Sequence, residues 1–215
     1  MNAPEIFSDY FVSVPDRFAP LFEGAATLWD PLNRLEEFVK ASVKPSLKGV
    51  KIIGAAHIED NVEIGEGTVV EHGAVIKGPT IIGNNCQVRA GAYIRGSVLI
   101  GDRCRIGHAG EVNRSILFTG VKLGHFNYVG DSILGSGAHF GGGAITANTR
   151  FDENPIMVTG VATNRKKLGI IAGDRCQVGV NVSVGPGVIL KPNTWIVSKD
   201  QLKAGVYGKE DLKER

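Results

Sequence analysis

The chain has 215 residues, with 24 Lys and Arg against 22 Asp and Glu, and a formal net charge of +2. A balance this close to neutral gives no electrostatic reason to expect a nucleic acid or a membrane surface as a partner. No apolar run approaches the ~20 residues of a spanning helix, and the N-terminus lacks the pattern of a secretion signal. The sequence therefore predicts a cytoplasmic protein.

Residues 1–48 are predicted to form an N-terminal helical cap or linker. Asp30-Pro31 is typical of an N-cap followed by proline at the first helical position. The helix that follows would end near Lys44-Pro45. Its apolar face comprises Leu32, Leu35, Phe38 and Val39. Because terminal repeats need a cover, we expect this segment to close the first coil, with an oligomer contact as the alternative.

A six-residue period occupies the centre of the chain. From residue 52 to residue 112 every sixth position is aliphatic: Ile52, Ile58, Ile64, Val70, Ile76, Ile82, Val88, Ile94, Ile100, Ile106 and Val112. The fourth residue after each is small or β-branched, from Ala56 to Gly110. This period suits neither a helix nor an alternating strand and indicates a parallel β-helix. Three hexads, about 18 residues, would close one triangular coil, and coils would stack at ~4.8 Å.

The period slips near Asn113, resumes, is interrupted, and then returns. The later inward positions are predicted to be Ile116, Lys122, Tyr128, Leu134, Phe140, Thr146, Ala172, Val178, Val184, Leu190 and Ile196. These positions predict an all-β solenoid over residues 49–199 with an external loop at 147–169, and such long loops are often functional. The polar tail, 200–215, is expected to be a short helix or a mobile end.

The cysteines and histidines give no support for a metal site. Cys86, Cys104 and Cys176 all occupy the small inward position of a hexad, which predicts core residues rather than disulfides, nucleophiles or ligands. His72 and His108 share a face but lie about two coils, or ~10 Å, apart. Zinc requires imidazoles converging within ~2.1 Å of one ion, so we expect no metal.

Two motifs carry a specific resemblance: KLGHFNYVGD at 122–131 and FGGGAITAN at 140–148. With them, residues 49–199 resemble the acetyltransferase half of the bifunctional glucosamine-1-phosphate acetyltransferase/N-acetylglucosamine-1-phosphate uridylyltransferases. The archaeal sugar-nucleotidyltransferase versions are the most similar. The resemblance implies a left-handed parallel β-helix. The uridylyltransferase half is missing, because about fifty residues cannot hold a nucleotide-binding α/β domain.

The resemblance also implies roles for individual residues. His125 matches the general base, which suits an imidazole that titrates near neutral pH. Tyr128 and Asn148 match residues that hold the sugar. Arg89 matches the arginine that binds the sugar phosphate, with Arg95 as the alternative.

The donor is implied to be acetyl-CoA, bound in a groove between adjacent subunits of a homotrimer. Gly142, Val180 and Ser198 match the residues that line this groove. The glycines at 141–143 allow close backbone approach, and an N–H there is expected to bind the developing oxyanion.

The chain departs from the family where lysines usually bind the substrate phosphate. Asn113, Asn154 and Met157 occupy those places. Arg165 and Lys167 in the external loop are expected to supply the charge instead. The leading hypothesis is therefore an acetyl-CoA-dependent N-acetyltransferase of an amino-sugar phosphate in sugar-nucleotide biosynthesis. The alternatives are an acyltransferase with a different acceptor and a non-catalytic partner of a separate nucleotidyltransferase chain.

Overall fold

A computed structural model, which describes residues 7–197 and 202–211, shows a parallel β-solenoid with short helices at its N-terminal end. The helical part comprises a 3-10 helix at Phe7–Asp9, α1 at Ala19–Phe22 and α2 at Asp30–Ser42. The solenoid begins at Lys51. The coils contribute strands of two or three residues to three parallel sheets of eight, seven and eight strands, which we number I to III. The hexad prediction of an all-β solenoid is confirmed.

The strands of each sheet follow one another along the solenoid. Sheet I contains β1 (Lys51–Ile52), β4 (Val69–Val70), β7 (Gln87–Val88), β10 (Arg105–Ile106), β13 (Lys122–Leu123), β16 (His139–Phe140), β21 (Gln177–Val178) and β24 (Trp195–Ile196). Sheet II contains β2 (His57–Ile58), β5 (Val75–Ile76), β8 (Tyr93–Ile94), β11 (Glu111–Asn113), β14 (Tyr128–Gly130), β17 (Ile145–Thr146) and β22 (Ser183–Val184). Sheet III contains β3 (Val62–Ile64), β6 (Thr80–Ile82), β9 (Val98–Ile100), β12 (Ile116–Leu117), β15 (Ile133–Leu134), β20 (Ile170–Ala172), β23 (Val188–Leu190) and β25 (Gly205–Tyr207).

The length of a coil changes along the solenoid. Lys51 pairs with Val69, a separation of 18 residues, as expected from three hexads. Arg105 pairs with Lys122, a separation of only 17 residues. The missing residue lies in each case at the corner between sheets II and III, once after Val112 and once after residue 129.

These two shortenings correct the predicted frame. The positions expected to point inward, Ile116, Lys122 and Tyr128, do not: the fully buried residues of the inward row are Leu117, Leu123 and Val129. The sequence interpretation merged two one-residue deletions into a single slip near Asn113. The error cancels at Leu134, which is why the later hexads were assigned correctly.

The outer face of sheet III is a second hydrophobic core. Six outward aliphatic side chains on it are fully buried: Ile81, Leu99, Ile116, Ile133, Ile171 and Ile189. The N-terminal helices pack on this face, where Leu35 and Val39 of α2 are buried. The segment therefore covers the side of the solenoid and leaves its first strand open, where Ile52 stays 45% exposed, contrary to the expected cap. Strands that are apolar at consecutive positions need cover on both faces, which explains the placement.

The external loop and the tail also pack on or extend sheet III. The loop carries an antiparallel hairpin, β18 (Met157–Val158) with β19 (Val161–Ala162), and buries Ile156 and Leu168 against sheet III. The tail was expected to be a short helix or a mobile end, but Gly205–Tyr207 forms β25 and pairs in parallel with β23. The pairing satisfies backbone groups that the last coil would otherwise leave open.

The three cysteines are buried and unpaired inside the solenoid. Burial raises the pKa of the Cys176 thiol to about 12. These side chains fill the core. No helix in the described ranges is long and apolar enough to cross a bilayer.

Candidate active site

A groove of about 460 Å³ opens where sheet I turns into sheet II. Its floor is bare backbone, because the strands of sheet I are followed here by glycines that stack coil upon coil. A Cβ on Gly107 would lie 1.5 Å from the carbonyl oxygen of Gly124, so no other residue fits there. The walls carry polar side chains, among them Arg89, Lys122 and His139.

His125 lies in this groove, at the corner between β13 and β14. The next residue, Phe126, adopts a left-handed backbone conformation with φ +57°, which turns the chain sharply. The His125 carbonyl oxygen accepts a hydrogen bond from the Gly143 N–H at 2.7 Å and so fixes the backbone. Its imidazole is exposed and makes no hydrogen bond to the part of the chain that the structure describes. The backbone at His125 is thus held at a defined place, and the imidazole is open to the groove.

Gly142 and Val180 lie in the same groove, as the family resemblance implies for the donor site. A Cβ on Gly142 would be 3.7 Å from the His125 carbonyl oxygen, so the two residues are neighbours on adjacent coils. Within residues 7–197 and 202–211 no group accepts a hydrogen bond from the Gly142 N–H. This donor is available to an oxyanion. Ser198, the third residue assigned to the donor, lies outside the described residues.

Tyr128 and Asn148 contact each other on the outer face of sheet II. The Asn148 side-chain amide donates to the Tyr128 hydroxyl at 3.2 Å and to the Asp131 carboxylate at 2.6 Å. Gly130 makes room for the pair, because a Cβ there would lie 2.5 Å from the Tyr128 hydroxyl. Tyr128 is thus an outward residue whose position is set by hydrogen bonding and not by core packing.

The two candidate phosphate arginines lie on different faces. Arg89 lines the groove with His125 and pairs with Glu71 at 3.0 Å. Arg95 follows β8 on sheet II and pairs with Glu111 of the next strand, β11, at 2.8 Å. Glu111 is in turn the register partner of Tyr128 on β14. The structure therefore places Arg89 near His125 and Arg95 near Tyr128.

Arg165 and Lys167 are not in the groove. They line a separate cavity of about 370 Å³ between α2 and the corner of sheets II and III, which we call the corner pocket. Arg114 and Arg165 both face the buried Asp131 carboxylate there, at 3.0 and 3.7 Å. Burial lowers the pKa of Arg165 and the nearby Arg114 lowers it further, whereas Asp131 opposes the shift. Sequence reasoning assigned no role to Arg114 or Asp131, although Asp131 closes the motif at 122–131.

Three uncharged residues stand where the family carries phosphate-binding lysines. Asn113 is half-buried in β11, in register between Arg95's strand and Gly130. Asn154 is fully outward in the external loop, and Met157 is 42% exposed in the hairpin. None of the three adds charge to either cavity. Across the described ranges no three or more His, Cys, Asp and Glu side chains are placed to hold a metal ion.

Comparisons with known proteins connect this geometry to a family. A family model described as the GMPPB C-terminal domain matches residues 76–171. YaiX of Escherichia coli (strain K12), an uncharacterized protein described as an acetyltransferase, is 35% identical over 186 residues, which cover 81% of this chain and 80% of YaiX. The chain belongs to the hexapeptide-repeat acyltransferases.

The likeness of this hexapeptide-repeat acyltransferase to two further proteins is more limited. The bifunctional protein GlmU of Methanococcus maripaludis (strain C7) is 43% identical over 199 residues, 86% of this chain but 46% of that protein. The chain thus spans about half the length of the GlmU relatives. A solved UDP-N-acetylglucosamine acyltransferase from Campylobacter jejuni aligns with 72% of this chain and 65% of its own, at 16% identity and a TM-score of 0.29. A structural likeness this distant carries no information about substrates.

Proposed function

We propose that the protein transfers the acetyl group of acetyl-CoA to the amine of an amino-sugar phosphate similar to glucosamine 1-phosphate. The observation that carries this proposal is the groove in which His125, Gly142 and Val180 lie together. The 43% identity to GlmU over most of the chain supports a role in sugar-nucleotide biosynthesis.

The proposed chemistry needs one base and one oxyanion donor. The amine attacks the thioester carbonyl carbon, and the His125 imidazole takes the proton that the nitrogen loses as the C–N bond forms. The Gly142 N–H stabilises the oxyanion of the tetrahedral intermediate. The C–S bond then breaks, and the imidazolium returns its proton to the thiolate. The products are the N-acetylated sugar, free coenzyme A and a neutral histidine.

The acceptor is proposed to bind beside the Tyr128–Asn148 pair with its amine directed toward His125, and Arg89 lies on the wall of the same groove. A different acceptor is the second candidate, and the specific observation in its favour is the set of uncharged residues at Asn113, Asn154 and Met157. The transfer reaction would be the same in both cases. Only the group recognised by the protein would differ.

The groove is proposed to be completed by a second copy of the chain in a homotrimer. Large apolar side chains near its rim are unusually exposed in the single chain: Phe126 at 61%, Val180 at 57% and Trp195 at 64%. Side chains of this kind are favoured at protein interfaces. Light scattering at micromolar concentration is expected to give the mass of three chains, and a monomer would contradict the assembly.

The test of function is release of free thiol from acetyl-CoA in the presence of glucosamine 1-phosphate. Turnover that depends on both substrates supports the proposal. Turnover only with other amino sugars, under acetyl-CoA or longer acyl-CoA, selects the second candidate. If no acyl-CoA binds in calorimetry and a nucleotidyltransferase copurifies in a fixed ratio, the protein is a non-catalytic partner and the proposal fails.

A further inference from the structure

The corner pocket lies where the repeat is least regular. Both 17-residue coils lose their residue at the corner of sheets II and III, and the 147–169 insertion leaves the solenoid at the same corner. Ser97, Arg114 and Asp131 occupy successive positions of this corner, each with a positive φ between 41° and 51°. Departures from a regular repeat concentrate at functional sites.

Positive charge dominates the corner pocket. Its lining holds four cations, Arg114, Arg165, Lys166 and Lys167, against the carboxylates of Asp131 and Glu36. Glu36 also pairs with Lys40 along α2, which takes part of its charge away from the pocket. The Lys166 and Lys167 ammonium groups have no ion-pair partner among the residues that the structure describes. An excess of unpaired cations around a cavity favours an anionic ligand.

The guanidinium groups are held in place before any ligand arrives. Asp131 is 1% exposed. Its carboxylate accepts a hydrogen bond from the Asn148 side-chain amide and forms ion pairs with Arg114 and Arg165. Arg165 also donates to the Asn33 side chain of α2 and to the Lys167 carbonyl oxygen. The Arg114 Nε is buried and has no hydrogen-bond partner within the described chain, so one fixed donor is left unused. Buried donors of this kind are rarely left unsatisfied.

We propose that the corner pocket is a binding site for a phosphoryl group. A phosphate dianion offers three acceptor oxygens, which match the forked donors of arginine and the point charges of lysine. The cavity of about 370 Å³ is large enough for a phosphate and part of a sugar. The site is distinct from the positions of the family's phosphate lysines, where this chain has Asn113, Asn154 and Met157.

The phosphoryl group has two possible sources, namely the acceptor itself and free inorganic phosphate. His125 and Asp131 lie on either side of β14, and the six residues from one to the other span at most about 20 Å. A phosphoryl group bound at the arginines beside Asp131 would therefore lie no farther than about 20 Å along the chain from His125. Asn148 contacts both Tyr128 and Asp131 and so joins the proposed acceptor residues to the pocket. The acceptor as source rests on the proposed function, whereas the phosphoryl site itself does not.

The test is calorimetric titration of the full chain with inorganic phosphate. The double variant Lys166→Gln/Lys167→Gln removes two cations that make no ion pair, so it is expected to keep its melting temperature and to bind phosphate at least ten-fold more weakly. Lys48→Gln, an exposed lysine away from the pocket, is the matched control and is expected to bind like the wild type. A wild-type chain that shows no saturable binding, or a double variant that binds as tightly as the control, overturns the site.

The thiol-release assay separates the two sources. If the acceptor supplies the phosphoryl group, phosphate competes with it, and the double variant raises its KM about ten-fold with kcat preserved. If free phosphate is the ligand, the KM for the acceptor is unchanged in the double variant while calorimetric binding is lost. Absence of thiol release with any acceptor removes the proposed function but leaves the calorimetric result standing, so the two failures are distinguishable.

Discussion

Sheets I and III are built from the same repeat, yet their outer faces differ completely. Six outer positions of sheet III, from Ile81 to Ile189, are aliphatic and fully buried under the N-terminal segment and the external loop. The corresponding positions of sheet I carry Arg105, Lys122 and His139, which are exposed. The inward rows of the two sheets join one continuous core. The repeat therefore determines the scaffold, and the outward residue of each strand determines whether a face is buried or open for binding.

The strongest test of this contrast is His125→Ala on the open side. If His125 is the general base, as we propose, its removal is expected to lower kcat by about 10²–10⁴-fold. The imidazole packs against nothing buried, so the free energy of unfolding should change by no more than about 0.5 kcal/mol. Thiol release and a melting curve measure the two effects. Near-full activity of the variant would show that another group is the base, and unfolding would show that His125 is structural.

The covered side should show the opposite pattern. Leu99→Ala, on the outer face of sheet III, is expected to cost about 2–5 kcal/mol, because it removes a buried side chain and leaves a cavity. Ile106→Ala, inside the solenoid, should cost about the same by the same reasoning. Arg105→Ala, at the outer position of sheet I, is the matched control and should stay within about 0.5 kcal/mol. If chemical denaturation shows Leu99→Ala to be as harmless as Arg105→Ala, the outer face of sheet III is not a core.

The smallest expected effect concerns the Cys176 thiol in the interior that the three sheets share. Burial raises the pKa of the Cys176 thiol to about 12 from 9.0. The thiol is therefore protonated in the native state at pH 9, and iodoacetamide should label it only after unfolding. Because the folded pKa is the higher one, this group's contribution to stability is complete below pH 9 and declines as the pH rises toward 12. Mass spectrometry of native and denatured samples checks the labelling, and rapid native modification would contradict the burial.

The sequence alone predicted the solenoid, because the inward aliphatic row from residue 52 to residue 112 is unbroken. It misplaced the inward positions near Lys122 by one residue. Two one-residue deletions fall there within three hexads, and no residue type in the sequence signals where either deletion lies. It overlooked the second core, although strands such as Val98–Ile100 are apolar at every position, because the hexad pattern considers one inward residue at a time. Strand β25 pairs with β23 one 17-residue coil earlier, but the polar tail carries no aliphatic hexad that would predict the strand.

The candidate site divides in a similar way. The motif that contains His125 and Tyr128 is continuous in sequence, and its residues could be assigned directly. Arg114, Asp131 and Arg165 converge only because the coils are 17 residues long at that corner and the loop returns to it. A cluster of this kind arises from tertiary geometry, so no spacing rule applied to the sequence finds it.

The N-terminal segment also connects parts of the solenoid that never touch. The Val12 N–H donates to the Asp174 carboxylate at 2.8 Å, and the Asp174 N–H donates to the Tyr10 carbonyl oxygen at 2.9 Å. Farther along the segment, Arg17 pairs with Glu63 of the first coil at 2.6 Å. Stacked repeats ordinarily interact only with their neighbours and can fray from either end. Here the segment links the first coil to a late one, so loss of either end also breaks contacts at the other, and the whole array is coupled into one cooperative unfolding unit.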